Sequence, residues 1–232
     1  MASGEIKTVE LDWPNACRLV PSRFPPISLF ERVAEPADLD VVFAIQALGN
    51  PRLRDETGEL SLVPVEHRIS GPGTGAIMAA FTHLNPEGSR FSDGTYGVYY
   101  AANDLDTAVA EVGHHRTLFL TRTLEPAIEI DLRCYRLRVK SALCELRGGQ
   151  AEHTVLYDPD SYAASQVFGL ARRVAGDAGI AFDSVRRPDG ECVALFTPRA
   201  TVPPARQAEH VTLRWNGERI SEWYLKSEAH KL

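Results

Sequence analysis

Apolar and polar positions along this chain alternate with two periods, one helical and one extended, and neither repeats at a fixed interval. ADLDVVFAIQALGNP (37–51) sets apolar residues at helical spacing behind a candidate cap, Asp38, and Gly49 to Pro51 stop it. GAIMAAFTHL (75–84) is a second helical stretch, closed by Asn85-Pro86, because the residue before a proline avoids the helical basin. A loop, EGSRFSDGTYG, leads to a short apolar strand at 98–101, and Asn103-Asp104 then offer cap oxygens to a helix from Leu105 to about Gly113. Residues 118–122, 127–133 and 136–139 mix β-branched and apolar residues with polar ones and predict strands. Over 161–176 the spacing of Ala164, Val167, Phe168, Ala171 and Val174 predicts a helix with those residues on its buried face. Strands are predicted at 180–184 and 192–196, and HVTLRW-NG-ERISEWYL (210–225) reads as a hairpin turning at Asn216-Gly217, where both positions tolerate positive φ. The stretch 15–26, rich in proline and arginine, reads as an irregular arm, and 55–75 as turns.

These elements predict a mixed α+β domain. At 232 residues the chain suits one core with terminal additions: an arm and helix over 1–60, the main body over 61–200, and a hairpin extension of it over 201–232. Composition narrows the function. A 44% hydrophobic and 24% charged chain is ordinary for a globular protein, and a net charge of -6 without a basic stripe argues against nucleic-acid binding. MASGEIKTVELDWPN holds acids and no apolar segment, and no apolar run is long enough to span a bilayer, so a cytoplasmic protein with no membrane contact is expected. Cys17, Cys134, Cys144 and Cys192 are scattered without metal-ligand spacing, which predicts free thiols and no metal.

Several catalytic signatures are missing: no phosphate-loop motif, no GxSxG elbow, no HExxH, and GPGTG (71–75) lacks the strand-to-helix context of a dinucleotide fingerprint. His114-His115 point about 100° apart on a helix and read as cations at its C-terminal end rather than as ligands. Gly88 to Val112 is the segment that stands out, with Arg90 in a loop, Tyr100 in the short strand and Glu111 late in the helix. One reading is a solvated arginine, a core tyrosine and an exposed acid. The other is a site, because Glu111 lies one position from Val112 and three from Ala108, at the edge of a buried stripe where a carboxylate needs a partner or a task.

On these residues the chain resembles the RES-domain family, named for an arginine, a glutamate and a serine. The family pattern, a G-x-R-[FW] loop, a tyrosine closing a strand and a helix ending A-x-x-E-V, is matched by Gly88-Ser89-Arg90-Phe91, Val98-Tyr99-Tyr100 and Ala108 to Val112, with Phe91 where tryptophan is commoner. LARRVAGDAGIAFDSVRRPDGECVALF resembles the later block and makes Ser184 the third namesake; Arg68 in HRISGP corresponds to an upstream strand arginine. The resemblance runs from Glu66 to Pro198. It implies an ADP-ribosyltransferase-like fold with a central split β-sheet flanked by helices, and a toxin neutralised by an antitoxin with an Xre-like helix-turn-helix. It further implies NAD⁺ as substrate, its nicotinamide–ribose bond broken by hydrolysis, by phosphorolysis or by ADP-ribose transfer to a protein such as phosphoribosyl pyrophosphate synthetase. On that reading Arg90, assisted by Arg68, holds the pyrophosphate, Glu111 faces the ribosyl cation, Tyr100 lies along the nicotinamide, and Ser184 hydrogen-bonds the ribose or amide without acting as a nucleophile. The competing expectation is a non-catalytic module whose cleft accepts an antitoxin tail.

Overall fold

The computed structural model describes residues 6–23, 29–31, 35–39, 41 and 58–226. The helix predicted over 38–48 lies largely outside them. Among the described residues seven strands form one mixed sheet in the order β1-β2-β5-β4-β3-β6-β7, with β1 also paired to β3. The strands are β1 (Thr8–Pro21), β2 (Tyr99–Ala102), β3 (Ile128–Glu145), β4 (Gly179–Asp183), β5 (Glu191–Leu195), β6 (Thr201–Trp215) and β7 (Ile220–Leu225). Three helices lie wholly among the described residues: α1 (Gly75–Thr82), α2 (Leu105–Thr123) and α3 (Ala163–Val174).

The β1–β3 pairing closes β1, β2, β5, β4 and β3 into a ring, and the ring has two thin seams. β3 and β4 share two register pairs, Cys144↔Ile180 and Glu145↔Ala181, while β1 and β2 share one, Cys17↔Ala102. Beyond Cys17 these strands diverge and open a gap in the sheet. Arg18 bridges its apex: Nη1 donates to the Tyr100 carbonyl at 3.0 Å, and the guanidinium lies 4.6 Å from the centre of the Tyr99 ring. One core, with Tyr99, Tyr135, Leu137, Val139 and Leu195, packs α1 through Ile77, Met78 and Phe81. A second, with Cys17, Leu132, Cys134, Ile180, Phe182 and Leu213, packs α2 through Ala108 and Val109.

The structure corrects four expectations. The irregular arm over 15–26 is strand as far as Pro21, because β1 pairs along β3 from Thr8↔Cys144 to Pro21↔Leu132. The strands at 127–133 and 136–139 are one continuous β3. Residues 118–122 are the last turns of α2, not a strand; Leu120 alone of them is buried, the Thr121 hydroxyl donates to the Thr117 carbonyl at 2.8 Å, and Leu124 at φ 54° ends the helix. On α3 the fully buried positions are Ser165 and Gly169; Ala164 and Phe168 are partly buried and pack on the second core as expected, whereas Val167 and Val174 are 72% and 76% exposed. Small residues face inward there because the helix runs hard against a loop. A Cβ on Gly169 would overlap the Phe91 carbonyl oxygen and stand 2.9 Å from the Phe91 Cβ.

That contact reverses an ordinary rule. Ala in place of an interior helical Gly usually stabilises by about 1 kcal/mol. At Gly169 we expect Gly169→Ala to destabilise by about 1–3 kcal/mol through overpacking, read as a lower urea midpoint at unchanged m value. A higher midpoint would show that α3 has room to move away from the loop.

Candidate functional site

A cleft of about 1490 Å³ opens where β1 and β2 part. Its lining includes Arg90, Tyr100 and Glu111, with Arg18, His114 and Tyr162 around them. The loop that carries Arg90 is fixed from three sides. Gly88, at φ +73°, turns the chain where a Cβ would meet the Ser92 carbonyl oxygen at 2.6 Å. The Tyr100 hydroxyl accepts from the Phe91 amide and shares a hydrogen bond with the Ser89 hydroxyl, both at 2.9 Å. Gln166 on α3 donates from Nε2 to the carbonyls of Ser89 and Ser92, at 3.1 and 3.3 Å. Phe91 is buried edge-on against Phe182, ring centres 5.0 Å apart. Tyr100 therefore spends its hydroxyl on the loop, its acidity pushed down by burial, and offers the cleft its ring.

Arg90 is 7% exposed. Its Nη1 donates to the carbonyls of Leu156 and Asp158, each at 3.0 Å, and the guanidinium lies 4.7 Å from the centre of the Tyr162 ring. Burial lowers its pKa, and Tyr162 and Glu111 act in the opposite sense. Nε and Nη2 make no hydrogen bond among the described residues. Part of the fork is thus structural and part is turned to whatever the cleft receives.

Glu111 sits two turns into α2, a helix started by Asp104, whose side chain accepts from the Thr107 amide at 2.8 Å. Ser184, just past β4 and 5% exposed, does not line the cleft. It stands behind the carboxylate, donating from Oγ to Glu111 Oε1 at 2.6 Å. The three namesake residues therefore do come together, but the serine reaches the cleft only through the glutamate. Arg68 departs further from expectation. It follows a 3-10 turn, Val65–His67, rather than lying in a strand, and is 4% exposed. Its Nε donates to the Val63 carbonyl at 2.9 Å and Nη2 to the Leu60 carbonyl at 3.4 Å, and it is not part of the cleft wall. It fastens backbone and stands outside the cleft that Arg90 and Glu111 line.

Tyr162 and Gln166 are site-building residues that sequence reasoning missed. Their one signal, a tyrosine and a glutamine four apart at the start of a helix, is common on helices that bind nothing. His114 and His115 are corrected too: α2 continues past them to Thr123, so they lie mid-helix and away from its C-terminal carbonyls. Burial, then Arg186 and His115, press His114 down to about 4, against a smaller opposing effect of Glu111. A histidine held neutral in the fold takes up its proton more readily when unfolded. Its contribution is complete above the unfolded value of about 6.5 and is lost as pH falls from there toward 4. After discounting for the partly exposed ring, we expect about 1–2 kcal/mol of stability lost between pH 7 and 4.5 on this account, absent in His114→Gln, measured by urea unfolding at both pH values. Equal pH slopes in the two proteins would remove His114 as the cause.

Among the described residues no helix is long and apolar enough to cross a membrane. The family model of the RES domain matches residues 65–220. Uncharacterized protein y4oC of Sinorhizobium fredii is 30% identical over 215 residues, covering 91% of this chain and 87% of that protein. The crystal structure of the M. tuberculosis MbcT-MbcA toxin-antitoxin complex aligns over 90% of this chain and 87% of that chain, at 13% identity and a TM-score of 0.48. With the family model spanning well over half of its length, this chain belongs to the RES-domain family.

Proposed function

We propose that this protein is the toxin of a toxin–antitoxin pair, and that it binds NAD⁺ in the cleft and breaks the bond between nicotinamide and ribose. The observation that carries the reading is the convergence of Arg90 and Glu111 on one cleft, with the Glu111 carboxylate held by Ser184. Nicotinamide leaves as a neutral molecule and strands positive charge on the ribosyl carbon. A carboxylate fixed beside that carbon stabilises the charge as it forms, and more strongly where water is scarce. Arg90 contributes the complementary part. Its planar fork, free of protein partners at Nε and Nη2 among the described residues, matches phosphate oxygens two at a time. The rings of Tyr100 and Tyr162 supply flat walls for the heterocycle.

The partner on this reading is an antitoxin with an Xre-like helix-turn-helix, and the acceptor of ADP-ribose is water, phosphate or a protein. Incubation of the purified protein with adenylate-labelled NAD⁺ tests it. Release of nicotinamide is expected, with label in free ADP-ribose for hydrolysis, in its phosphate ester for phosphorolysis, or on a macromolecule for transfer. No nicotinamide release from the pure protein, with water, phosphate or cell lysate as acceptor, would leave a non-catalytic cleft.

A further inference from the structure

The loop between β4 and β5 is tied to the start of α2 by one side chain. Arg187 Nη1 donates to both carboxylate oxygens of Asp104 and to the Thr107 hydroxyl, all at 2.9 Å, and Nη2 reaches Asp106 at 3.3 Å. Asp104 is the cap of α2, so the guanidinium grips the group that fixes where the helix begins. Although burial raises the Asp104 pKa, hydrogen bonds from Thr107 together with Arg187 hold it below its ordinary value. The same loop presses on the helix at Gly190, where a Cβ would stand 2.7 Å from the Thr107 hydroxyl oxygen.

The backbone of this loop also decides where the Ser184 proton goes. A serine hydroxyl has one proton to donate and two lone pairs to accept with. The amides of Arg186 and Arg187 donate to Ser184 Oγ at 3.1 and 3.0 Å and fill its accepting side. The proton is left for Glu111 Oε1, 2.6 Å away, a distance typical of a hydrogen bond to a charged acceptor. Asp104, which accepts from Arg187 Nη1, and Glu111, which takes the Ser184 proton, are seven positions apart and so lie about two turns apart along one face of α2 and its cap. Loop and helix are therefore joined at two points, one ionic and remote, the other at the candidate reacting group.

We propose that Arg187 is a positioning residue for Glu111, acting through Ser184: by latching the loop to the α2 cap it keeps the two amides on the serine oxygen and the serine proton on the carboxylate. Its catalytic consequence rests on the dinucleotide-cleaving reading above; the latch itself does not. Arg187 touches no part of the cleft wall, so its loss is expected to act on turnover rather than on binding.

The test compares Arg187→Gln, Arg187→Lys, Ser184→Ala and the double variant Arg187→Gln/Ser184→Ala. Nicotinamide release and amide hydrogen exchange at positions 186 and 187 are both measured. Arg187→Gln is expected to lower kcat about 10-fold or more with KM for NAD⁺ little changed, because a small displacement of an aligned group is costly. Arg187→Lys, which keeps the charge and loses the fork, falls between it and the wild type. The double variant is expected to be no slower than Ser184→Ala alone, since an effect relayed through the serine vanishes with the serine. Amides 186 and 187 exchange faster in Arg187→Gln. Multiplying kcat losses in the double variant, or wild-type exchange at both amides in Arg187→Gln, overturns the proposal. Absence of nicotinamide release from the wild type instead overturns the dinucleotide reading, and exchange at the two amides then decides the latch by itself.

Discussion

Glu111→Gln is expected to fold normally and to release nicotinamide about 10²–10³-fold more slowly than the wild type, with the loss in kcat rather than KM. The substitution removes a charge and almost no volume. The glutamine carbonyl still accepts from Ser184 Oγ, which donates to Glu111 Oε1 in the native protein, so the loop beyond β4 keeps its anchor. What disappears is the negative charge that meets the ribosyl carbon as nicotinamide departs. Binding of the intact dinucleotide, whose nicotinamide ring carries its charge before the bond breaks, depends less on that carboxylate than the later, more cationic sugar does. A Glu111→Gln protein with wild-type kcat would take Glu111 out of the reaction.

The second large effect is at Arg90, and it falls on stability and binding together. Arg90→Lys loses the Nη1 group that donates to both the Leu156 and Asp158 carbonyls, and the flat contact with Tyr162. The lysine chain is one atom shorter, so its ammonium stops short of the Nη1 position and leaves at least one of the two carbonyls without its donor. We expect a loss of about 2 kcal/mol, seen as a fall in Tm of about 4–8 °C, because an unsatisfied buried carbonyl and a lost cation–aromatic contact add. KM for NAD⁺ is expected to rise about 10-fold or more, since two-point recognition of phosphate is replaced by a point charge. Calorimetry and steady-state kinetics on the same preparation separate the two losses. An unchanged KM with a lowered Tm would make Arg90 a purely structural staple.

What could be read from the chain was what its physics keeps local. Asp104 announced α2 as a cap, and the structure has its carboxylate on the Thr107 amide. The hairpin at Asn216-Gly217 was legible for the same reason, although its turn spans more than the predicted pair: Asn216 Oδ1 accepts from the amides of Glu218 and Arg219, each at 2.9 Å, and only Gly217 has positive φ. β1 was not legible as a strand, because its partner β3 lies more than a hundred residues away and supplies the pairing that its two prolines argue against. The buried face of α3 was legible only in part: Ala164 and Phe168 do pack on the core, but hydrophobicity ranks Val167 above Gly169, whereas close approach to Phe91 favours the residue with no side chain.

The same division holds at the candidate site. Arg90, Tyr100 and Glu111 fall within 22 residues, and the motif they form is legible in the sequence without the fold. Ser184 was found by motif, but its task was not, because a hydrogen bond to a residue 73 positions away has no local signature. Tyr162 and Gln166, which hold the Arg90 side chain and the loop that carries it, belong to a helix whose sequence announces only that it is amphipathic. Arg68 had the right residue type in the right order, and its burial among backbone carbonyls turned it away from the wall.

The single rung that joins β1 to β2 has a mechanical consequence. Cys17 and Ala102 are the last point at which the two rims of the cleft are bound by backbone, and beyond them the span rests on the Arg18 side chain. Separating the rims breaks no length of ladder, but it pulls that guanidinium off a carbonyl and a ring and disturbs the apolar core that Cys17 and Leu19 share with Val98 and Ala102. Backbone support of the mouth is thinnest where its two rims meet, whereas β2, which carries Tyr100, is held along its other edge by four register pairs to β5.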